Sequence, residues 1–235
     1  ALWLYALRSA VLLFNTLLVL EGGASRLELF SSIHVGANMK HVHTFGCPVF
    51  ALSNALASGK SINFKINFSY VLNKGSHQRT GQVDDGAHFI AYFFPRVAVY
   101  DDVDGWNKIP YSGAEEFYND FSNFKVAITV PKNHAVWATG DLTNAKEVFT
   151  KAVADKLNKA EQSEITIDVI DSLELVQNKV TAQNAFNTFK FDAKNVVDFA
   201  FATSNHYLWK SNSLIVDPTT KRRTRVDAVF NAKHK

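Results

Sequence analysis

The stretch Ser61-Ile-Asn-Phe-Lys-Ile-Asn-Phe-Ser69 sets the pattern that governs most of this chain. Apolar residues occupy every second position from Ile62 to Phe68, and polar residues occupy the positions between them. Because successive side chains of a β-strand point to opposite faces, this alternation predicts a strand with one buried and one solvated face. We therefore expect the chain beyond Lys60 to be mainly β.

Similar strand signals recur to the end of the chain, separated by turns rich in Gly, Asn, Asp and Pro. The predicted strands are 87–94, 97–100, 124–130, 135–138, 164–170, 185–191, 196–202, 213–216 and 224–230. Helices are predicted at 115–121 and at 145–160, the second with an N-terminal cap from Thr143-Asn144 and Glu147. Many short strands with few helices predict a mainly β fold, a curved antiparallel sheet or sandwich.

The first sixty residues follow a different pattern. Apolar positions recur at helical spacing from Leu2 to Leu20 and end at Gly22-Gly23, and a weaker helix is predicted at 48–57. No aspartate occurs before Asp84. Because Arg8 interrupts the apolar run, a buried helix is favoured over a signal peptide or a membrane span. We predict a helical segment at 1–60 and a β domain at 61–235.

Composition and charge exclude two broad classes of protein. With 47% hydrophobic and 20% charged residues, the chain is far from the disordered class. Its 25 basic and 22 acidic residues leave a net charge of +3, too balanced for a strong nucleic-acid or membrane field. The local exception is Lys221, Arg222, Arg223 and Arg225, which we interpret as a solvated turn beside 217–220, although four clustered cations also suit phosphate.

Candidate metal and nucleophile positions are few. No histidine is followed by glutamate, so the His-Glu-x-x-His zinc motif is absent from the sequence. His41, His43 and Cys47 form a local cluster of ligand-type residues, but a closed zinc site needs a fourth ligand, and a packed loop is favoured. Cys47, the single cysteine, lies in an apolar context that suits a buried structural thiol.

The densest acidic group is Asp101, Asp102 and Asp104, in Tyr-Asp-Asp-Val-Asp-Gly-Trp. The glutamate that completes a calcium-binding loop is missing, so a hydrogen-bonded turn is favoured over a cation site. Neighbouring aromatic residues fit either the lining of a pocket or the core of a sheet. These residues are Phe89, Tyr92, Phe93, Phe94, Tyr100 and Trp106.

Four segments in the right order resemble the N-terminal domain of aminopeptidase N-like zinc metallopeptidases of the gluzincin type. The resemblance spans roughly 62–235. Its segments are Phe89-Ile-Ala-Tyr-Phe-Phe-Pro-Arg-Val-Ala-Val-Tyr-Asp-Asp-Val-Asp-Gly-Trp106, Glu116-Phe-Tyr-Asn-Asp-Phe-Ser-Asn-Phe-Lys-Val-Ala-Ile-Thr-Val-Pro131, His134-Ala-Val-Trp-Ala-Thr-Gly140 and Val197-Asp-Phe-Ala-Phe-Ala-Thr-Ser-Asn-His-Tyr-Leu-Trp209.

In that family the N-terminal domain is a saddle-like β structure that packs on the catalytic domain and helps to close the substrate cleft. The zinc ligands and catalytic residues belong to the following domain, so the resemblance implies no catalytic residue, no metal ligand and no cofactor in this chain. Zinc enters only in the full-length family, where it activates the attacking water. The family often places a substrate-binding glutamine before its Pro-Arg turn, and Tyr92 occupies that place here.

The N-terminal segment resembles the region after the integrase core of copia-type retrotransposon polyproteins. The resemblance lies in Trp3-Leu-Tyr-Ala-Leu-Arg-Ser-Ala-Val-Leu-Leu-Phe-Asn15, Ser25-Arg-Leu-Glu-Leu-Phe30 and His43-Thr-Phe-Gly-Cys-Pro-Val-Phe50. An integrase site uses three carboxylates to hold two metal ions, and that site cannot be built without an aspartate before Asp84. The chain is thus interpreted as a fusion, an insertion product or a gene-model artefact.

Three functions remain open from the sequence. The leading hypothesis is a non-catalytic, aminopeptidase-derived β domain that covers a substrate cleft, with a catalytic domain as partner and peptide as substrate only in the full-length context. The second is a truncated part of an active zinc aminopeptidase whose catalytic domain is missing from this chain. The third is a transposon-derived nucleic-acid-associated protein, which the four basic and two acidic residues before Ser61 support poorly.

Overall fold

The computed structural model describes residues 11–15, 39–44, 47–52, 56–61, 63, 71–75, 79–94, 96–107 and 118–234, with backbone alone for the ranges before 56. Sixteen strands and three helices lie in these ranges. They are β1 (Val11–Asn15), β2 (Met39–Thr44), β3 (Cys47–Leu52), β4 (Thr80–Asp84), β5 (Ala87–Ile90), β6 (Arg96–Val97), β7 (Tyr100–Asp101), β8 (Gly105–Trp106), β9 (Ser122–Pro131), β10 (Ala135–Ala138), β11 (Asp141–Leu142), α1 (Ala145–Val148), α2 (Lys151–Ala160), β12 (Ile167–Ile170), α3 (Ser172–Val176), β13 (Phe186–Val196), β14 (Phe201–Ser204), β15 (Tyr207–Asp217) and β16 (Arg222–Asn231), followed by a 3₁₀ turn at Ala232–His234.

The chain divides into two compact units. The first combines Ala1–Leu72 with Tyr92–Asp120, and the second combines Asn73–Ala91 with Phe121–Lys235. Strand pairing is antiparallel throughout the named sheets, so the predicted mainly β, antiparallel fold class is confirmed. The boundary near Lys60 stays a prediction.

The first unit contains a four-stranded sheet in the order β2-β3-β1-β6 and the small β7-β8 hairpin. In the larger sheet, Phe14 pairs with Val97 and Asn15 with Arg96, so a strand from the first twenty residues is joined to the segment that follows Tyr92. The N-terminal segment and part of the predicted β domain therefore share one sheet.

Both N-terminal helices are predicted wrongly where the structure describes them. Val11–Asn15 of the predicted helix 2–20 is strand β1, and Cys47–Leu52, at the start of the predicted helix 48–57, is strand β3. The physical reason is that a short uninterrupted apolar run such as Val-Leu-Leu-Phe suits a strand covered on both faces as well as a buried helix, and periodicity cannot separate the two.

The second unit contains three sheets, ordered β10-β14-β5-β4, β11-β13-β9 and β12-β15-β16. Its strands agree with the sequence pattern, because β10 has the predicted bounds and β9, β13, β15 and β16 extend beyond theirs at one or both ends. Predicted strand 164–170 is shorter, since β12 begins at Ile167. Predicted strand 196–202 is divided between the end of β13 and β14.

The core of this unit is built from large aromatic side chains. Trp209 and Phe189 are fully buried, and Phe149 packs against both, with ring centroids 5.8 Å and 5.4 Å away. Trp137 meets Trp209 edge-on at 5.9 Å. Helix α2 presents Val153 and other buried residues at helical spacing, so one face of the helix faces the core.

The predicted helix 145–160 is interrupted at Phe149-Thr150, where the backbone becomes extended. The Thr150 N–H donates to Val180 O at 3.0 Å, and the Ala182 N–H donates to Val148 O at 2.8 Å. These bonds hold Phe149 in a short β-bridge with Thr181, which sends the buried ring into the aromatic core. Packing of one aromatic residue thus overrides local helix propensity.

Two further predicted elements lie partly outside the residues that the structure describes. The alternating strand 62–68 lies outside the described residues apart from Asn63, and so does most of the predicted helix 115–121. Residues 118–121 of that helix have no regular secondary structure, so the prediction is wrong there. The helices in the described ranges include none that is long and apolar enough to cross a membrane.

Candidate functional site

Tyr92, the predicted substrate-binding residue, lies in the turn between β5 and β6. Its backbone is in the left-handed region, with φ of 52°. Its ring is half-buried, and the guanidinium carbon of Arg96 lies 5.3 Å from the ring centroid. A non-glycine residue in this conformation is uncommon, and the surrounding contacts must hold it there.

Arg96 itself is buried, with 8% of its surface exposed, and it lies over two rings. The Phe94 centroid is 4.9 Å from its guanidinium carbon, and Phe93 packs edge-on against Phe94 at 5.0 Å. Aromatic faces attract a cation through their quadrupole. The ring of Tyr92 is therefore engaged by a cation of its own chain.

The aspartates at 101–104 form a turn that joins β7 to β8. Asp101 Oδ1 accepts the backbone N–H groups of Val103 and Asp104 at 3.1 Å and 2.7 Å. Tyr100 and Trp106, on the paired strands, contact each other edge-on at 5.2 Å. The predicted hydrogen-bonded turn is present, and Asp101 serves the backbone of its own hairpin.

The cations at 221–225 belong to the β15-β16 hairpin. Arg223 donates from Nε to Ser213 Oγ and from a terminal nitrogen to Ser213 O, both at 2.8 Å. Arg225 donates to Asp227 at 2.8 Å and to Glu161 at 3.2 Å. Only Lys221 lies in the turn, whereas Arg222, Arg223 and Arg225 lie in strand β16, so the interpretation of this stretch as a solvated turn is wrong for these three residues.

His41, His43 and Cys47 lie in the β2-β3 hairpin. The backbone register pairs His43 with Pro48 and Thr44 with Cys47. The predicted packed loop is therefore wrong here, because the three residues lie in paired strands. Their side chains lie outside the described residues, so metal binding stays untested. Within the described ranges, no three His, Cys, Asp or Glu side chains gather in a way that suits a metal ion.

A polar cluster that the sequence did not predict lies in the second unit, around Asp84 at the end of β4. His206 Nε2 lies 2.9 Å from Asp84 Oδ1, and Asn231 Nδ2 donates to Asp84 Oδ2 at 2.9 Å. Lys233 Nζ lies 3.8 Å from the same Oδ2. We call Asp84, Asn205, His206, Tyr207, Asn231 and Lys233 the Asp84 cluster.

Strand register explains why these residues meet. Ala87 pairs with Asp84 across the β4-β5 hairpin and with Ser204 across β5-β14, while Tyr207 pairs with Asn231 at the end of the β15-β16 hairpin. The β4-β5 hairpin, the β14-β15 turn and the end of β16 therefore lie close together. The residues are distant in sequence, and only the sheet topology brings them together.

The imidazole of His206 is held on both sides. Asp84 Oδ1 is buried, and Nε2 of the ring lies 2.9 Å from it and 3.2 Å from Asn231 Nδ2. Nδ1 lies 2.7 Å from Asn205 Oδ1. The ring thus links the β14-β15 turn to the end of β4.

Ser204, His206 and Asp84 contain the three residue types of a hydrolytic triad, with Ser204 Oγ 3.4 Å from His206 Nδ1. Ser204 is 2% exposed, however, and its Oγ accepts the backbone N–H of His206 at 3.1 Å. A nucleophile needs access to its substrate as well as an adjacent base. The arrangement is that of a turn stabilised by a serine hydroxyl, and it holds no accessible nucleophile.

Tyr207 completes the Asp84 cluster. Burial, followed by the charge of Asp84 and a hydrogen bond to it, raises the pKa of the Tyr207 phenol. The phenol therefore stays neutral and serves as a hydrogen-bond donor to the carboxylate. Asp84 is thus in contact with the β14-β15 turn and with the end of β16.

The chain matches no protein-family model, no curated protein and no solved structure.

Proposed function

We propose that this chain is a non-catalytic β domain of an aminopeptidase-like zinc protein that docks on a catalytic domain and covers its substrate cleft. The open antiparallel architecture supports this function, because the resemblance implies a β structure of that kind. Zinc and the hydrolytic residues would come from the catalytic partner, and peptide would be bound only in the assembled protein.

The proposal rests mainly on the contacts that the histidine, aspartate and arginine side chains make. In the described ranges, His206 links Asp84 to Asn205, and Arg96 lies over Tyr92 and Phe94. These side chains contact other side chains of the same chain, which is what structural residues do. Among the described residues the ligand set of a hydrolytic zinc site is not assembled.

The contacts of Tyr92 favour the proposal that the domain covers a cleft over the proposal that Tyr92 itself binds substrate. A substrate's free amine is a cation, and the Arg96 guanidinium already lies over the face of this ring. Like charges at such short range repel each other. We therefore propose that Tyr92 supports the turn and does not bind the ammonium of a peptide.

A binding experiment tests this function. The full chain is titrated into the isolated catalytic domain of an aminopeptidase N-like enzyme, and into the same enzyme with its own N-terminal domain attached as the matched control. The proposal predicts saturable binding to the isolated domain and none to the intact enzyme, because the docking surface is then occupied. Failure to bind the isolated domain, or equal binding to both, would contradict it.

A further inference from the structure

The exposed edge of the β12-β15-β16 sheet offers a surface for strand pairing. Strand β16 is an outer strand of that sheet and is paired along its length with β15. In the described part of the chain, no strand pairs with the other edge of β16. An outer strand presents a row of backbone N–H and C=O groups that a further strand can complete.

We propose that this edge pairs with the same edge of a second copy of the chain, antiparallel, with Val226 opposite Val226 on a twofold axis. In that register Arg225 of each copy faces Asp227 of the other. Arg222 and Arg223 then face Phe230 and Val229 of the second copy, so no like charges oppose each other.

Charge selects this register over its neighbours. A shift of the axis by one residue places Arg225 opposite Arg225, or Asp227 opposite Asp227. Like charges directly opposite each other on paired strands are destabilising, whereas opposite charges are favourable. The Val226 register is therefore the one in which the central charges complement each other.

The geometry of the two charged residues suits this role. Arg225 and Asp227 lie on the face of β16 that carries Trp209, whose Nε1 donates to Asp227 at 2.9 Å. They are fixed by local contacts, with the Arg225 guanidinium carbon 5.9 Å from the Trp209 ring, yet both remain partly exposed. Pre-positioned side chains lose little further conformational entropy on association.

The opposite face of β16 adds an apolar contact at the proposed twofold axis. Val226 is 51% exposed, and Leu214, on the same face of the neighbouring strand, is 46% exposed. Antiparallel self-pairing brings the two Val226 side chains together and removes part of their surface from water. Strand β9, the other long outer strand, carries Lys125 as its single charged residue, so its charges select no self-paired register.

Sedimentation of the full chain across a concentration series tests the dimer. The parent is expected to show a reversible monomer–dimer equilibrium. Val226→Lys places two ammonium groups on the axis and should weaken association by at least about tenfold. Leu214→Lys is the matched control, because it adds the same charge to the same face one strand away from the edge, and it should leave association unchanged.

Hydrogen exchange on the parent provides a second test that needs no variant. Amides in 222–230 should become more protected as protein concentration rises, because pairing satisfies the outer row of N–H groups. A parent that stays monomeric at every concentration, equal weakening by both lysine variants, or protection independent of concentration would each overturn the proposal.

Discussion

At the scale of single residues, the contact between Gly86 and Asn205 determines how two turns meet. Gly86 has φ of +77°, and a Cβ built on it would lie 2.5 Å from Asn205 Oδ1. The Asn205 N–H also donates to Gly86 O at 3.2 Å. Glycine is required here both for its backbone conformation and for the space it leaves.

Gly86→Ala should lower the free energy of unfolding by about 2 kcal/mol, roughly 1 kcal/mol from the left-handed backbone and the rest from the clash with Asn205. Urea unfolding of the parent, Gly86→Ala, Asn205→Ala and the double variant separates the two effects. The loss of unfolding free energy caused by Gly86→Ala should be about 1 kcal/mol smaller in the Asn205→Ala background than in the parent. Strictly additive effects would show that the two residues do not compete for space.

Single residues also show how far the sequence could predict this region. The turn at Asp101 was predictable, because Asp and Gly favour such turns on local grounds. The pairing of His206 with Asp84 was not, because the two residues are far apart in sequence and meet only through the register of β4, β5 and β14. No local pattern marks either residue as a partner of the other.

At the scale of elements, helix α3 begins with an N-terminal cap whose residues can be recognised in the sequence. Asp171 accepts the backbone N–H groups of Leu173 and Glu174 at 2.9 Å and 3.0 Å, and Glu174 accepts the N–H of Asp171 at 3.1 Å. This capping box holds a helix only five residues long. Its Asp-x-x-Glu spacing was a usable signal that the sequence analysis missed.

Lys156 of α2 joins this cap by ion pairs, with Nζ 2.9 Å from Glu174 and 3.4 Å from Asp171. Burial alone would lower the pKa of Lys156, but the hydrogen bonds and charges of Glu174 and Asp171 outweigh it and raise that pKa. The backbone N–H of Glu174, supported by Lys156 and the N–H of Leu173, lowers the pKa of Asp171. The carboxylate form of Asp171 is thus favoured by folding.

Asp171→Asn should lower stability by up to about 1 kcal/mol at neutral pH, because asparagine still caps but carries no charge. Since the folded pKa of Asp171 is lowered, its contribution is present above the ordinary aspartate pKa of about 3.9 and is lost as pH falls through the lower folded value. The difference from the parent in urea unfolding should therefore stay constant from neutral pH down to about pH 5 and shrink as the pH falls below about 4.

Asp155→Asn is the matched control for this measurement, because Asp155 forms an exposed ion pair with Lys151 on the surface of α2. Exposed pairs of this kind contribute only about 0.5 kcal/mol. A difference for Asp171→Asn that is constant with pH, or no larger than that of the control, would contradict a charge-dependent cap.

Comparison of the individual strands and helices shows which of them the periodicity of apolar residues can predict and which it cannot. The strands β9, β10 and β16 were predictable, because their alternating or β-branched residues lie between clear turns. The strands β1 and β3 were not, since short apolar runs fit a buried strand and a helix equally. The interruption between α1 and α2 depends on the aromatic core and has no local signal.

At the scale of the whole molecule, the pairing of β1 with β6 links the segments that carry the two resemblances. The exposed residues 56–61 include Lys60, next to the turn at Gly59. Trypsin should cut early after Lys60. Because β1, before Lys60, pairs with β6, after Lys60, we expect the two pieces to separate on a denaturing gel but to elute together under native conditions.

Lys60→Gln provides the control, since it removes this cleavage site and should leave the native elution unchanged. Release of a free peptide ending at Lys60, with the remainder eluting alone, would contradict the shared sheet. It would favour the independent N-terminal segment that the sequence pattern predicts.

The most direct test of a non-catalytic role is an activity measurement on the full chain supplied with zinc. Aminoacyl p-nitroanilide substrates are incubated with the purified protein, with and without a chelator, and zinc retained after dialysis is measured on the same sample. The proposed function predicts no chelator-sensitive release of p-nitroaniline and zinc well below one ion per chain. Chelator-sensitive turnover together with stoichiometric zinc would contradict it.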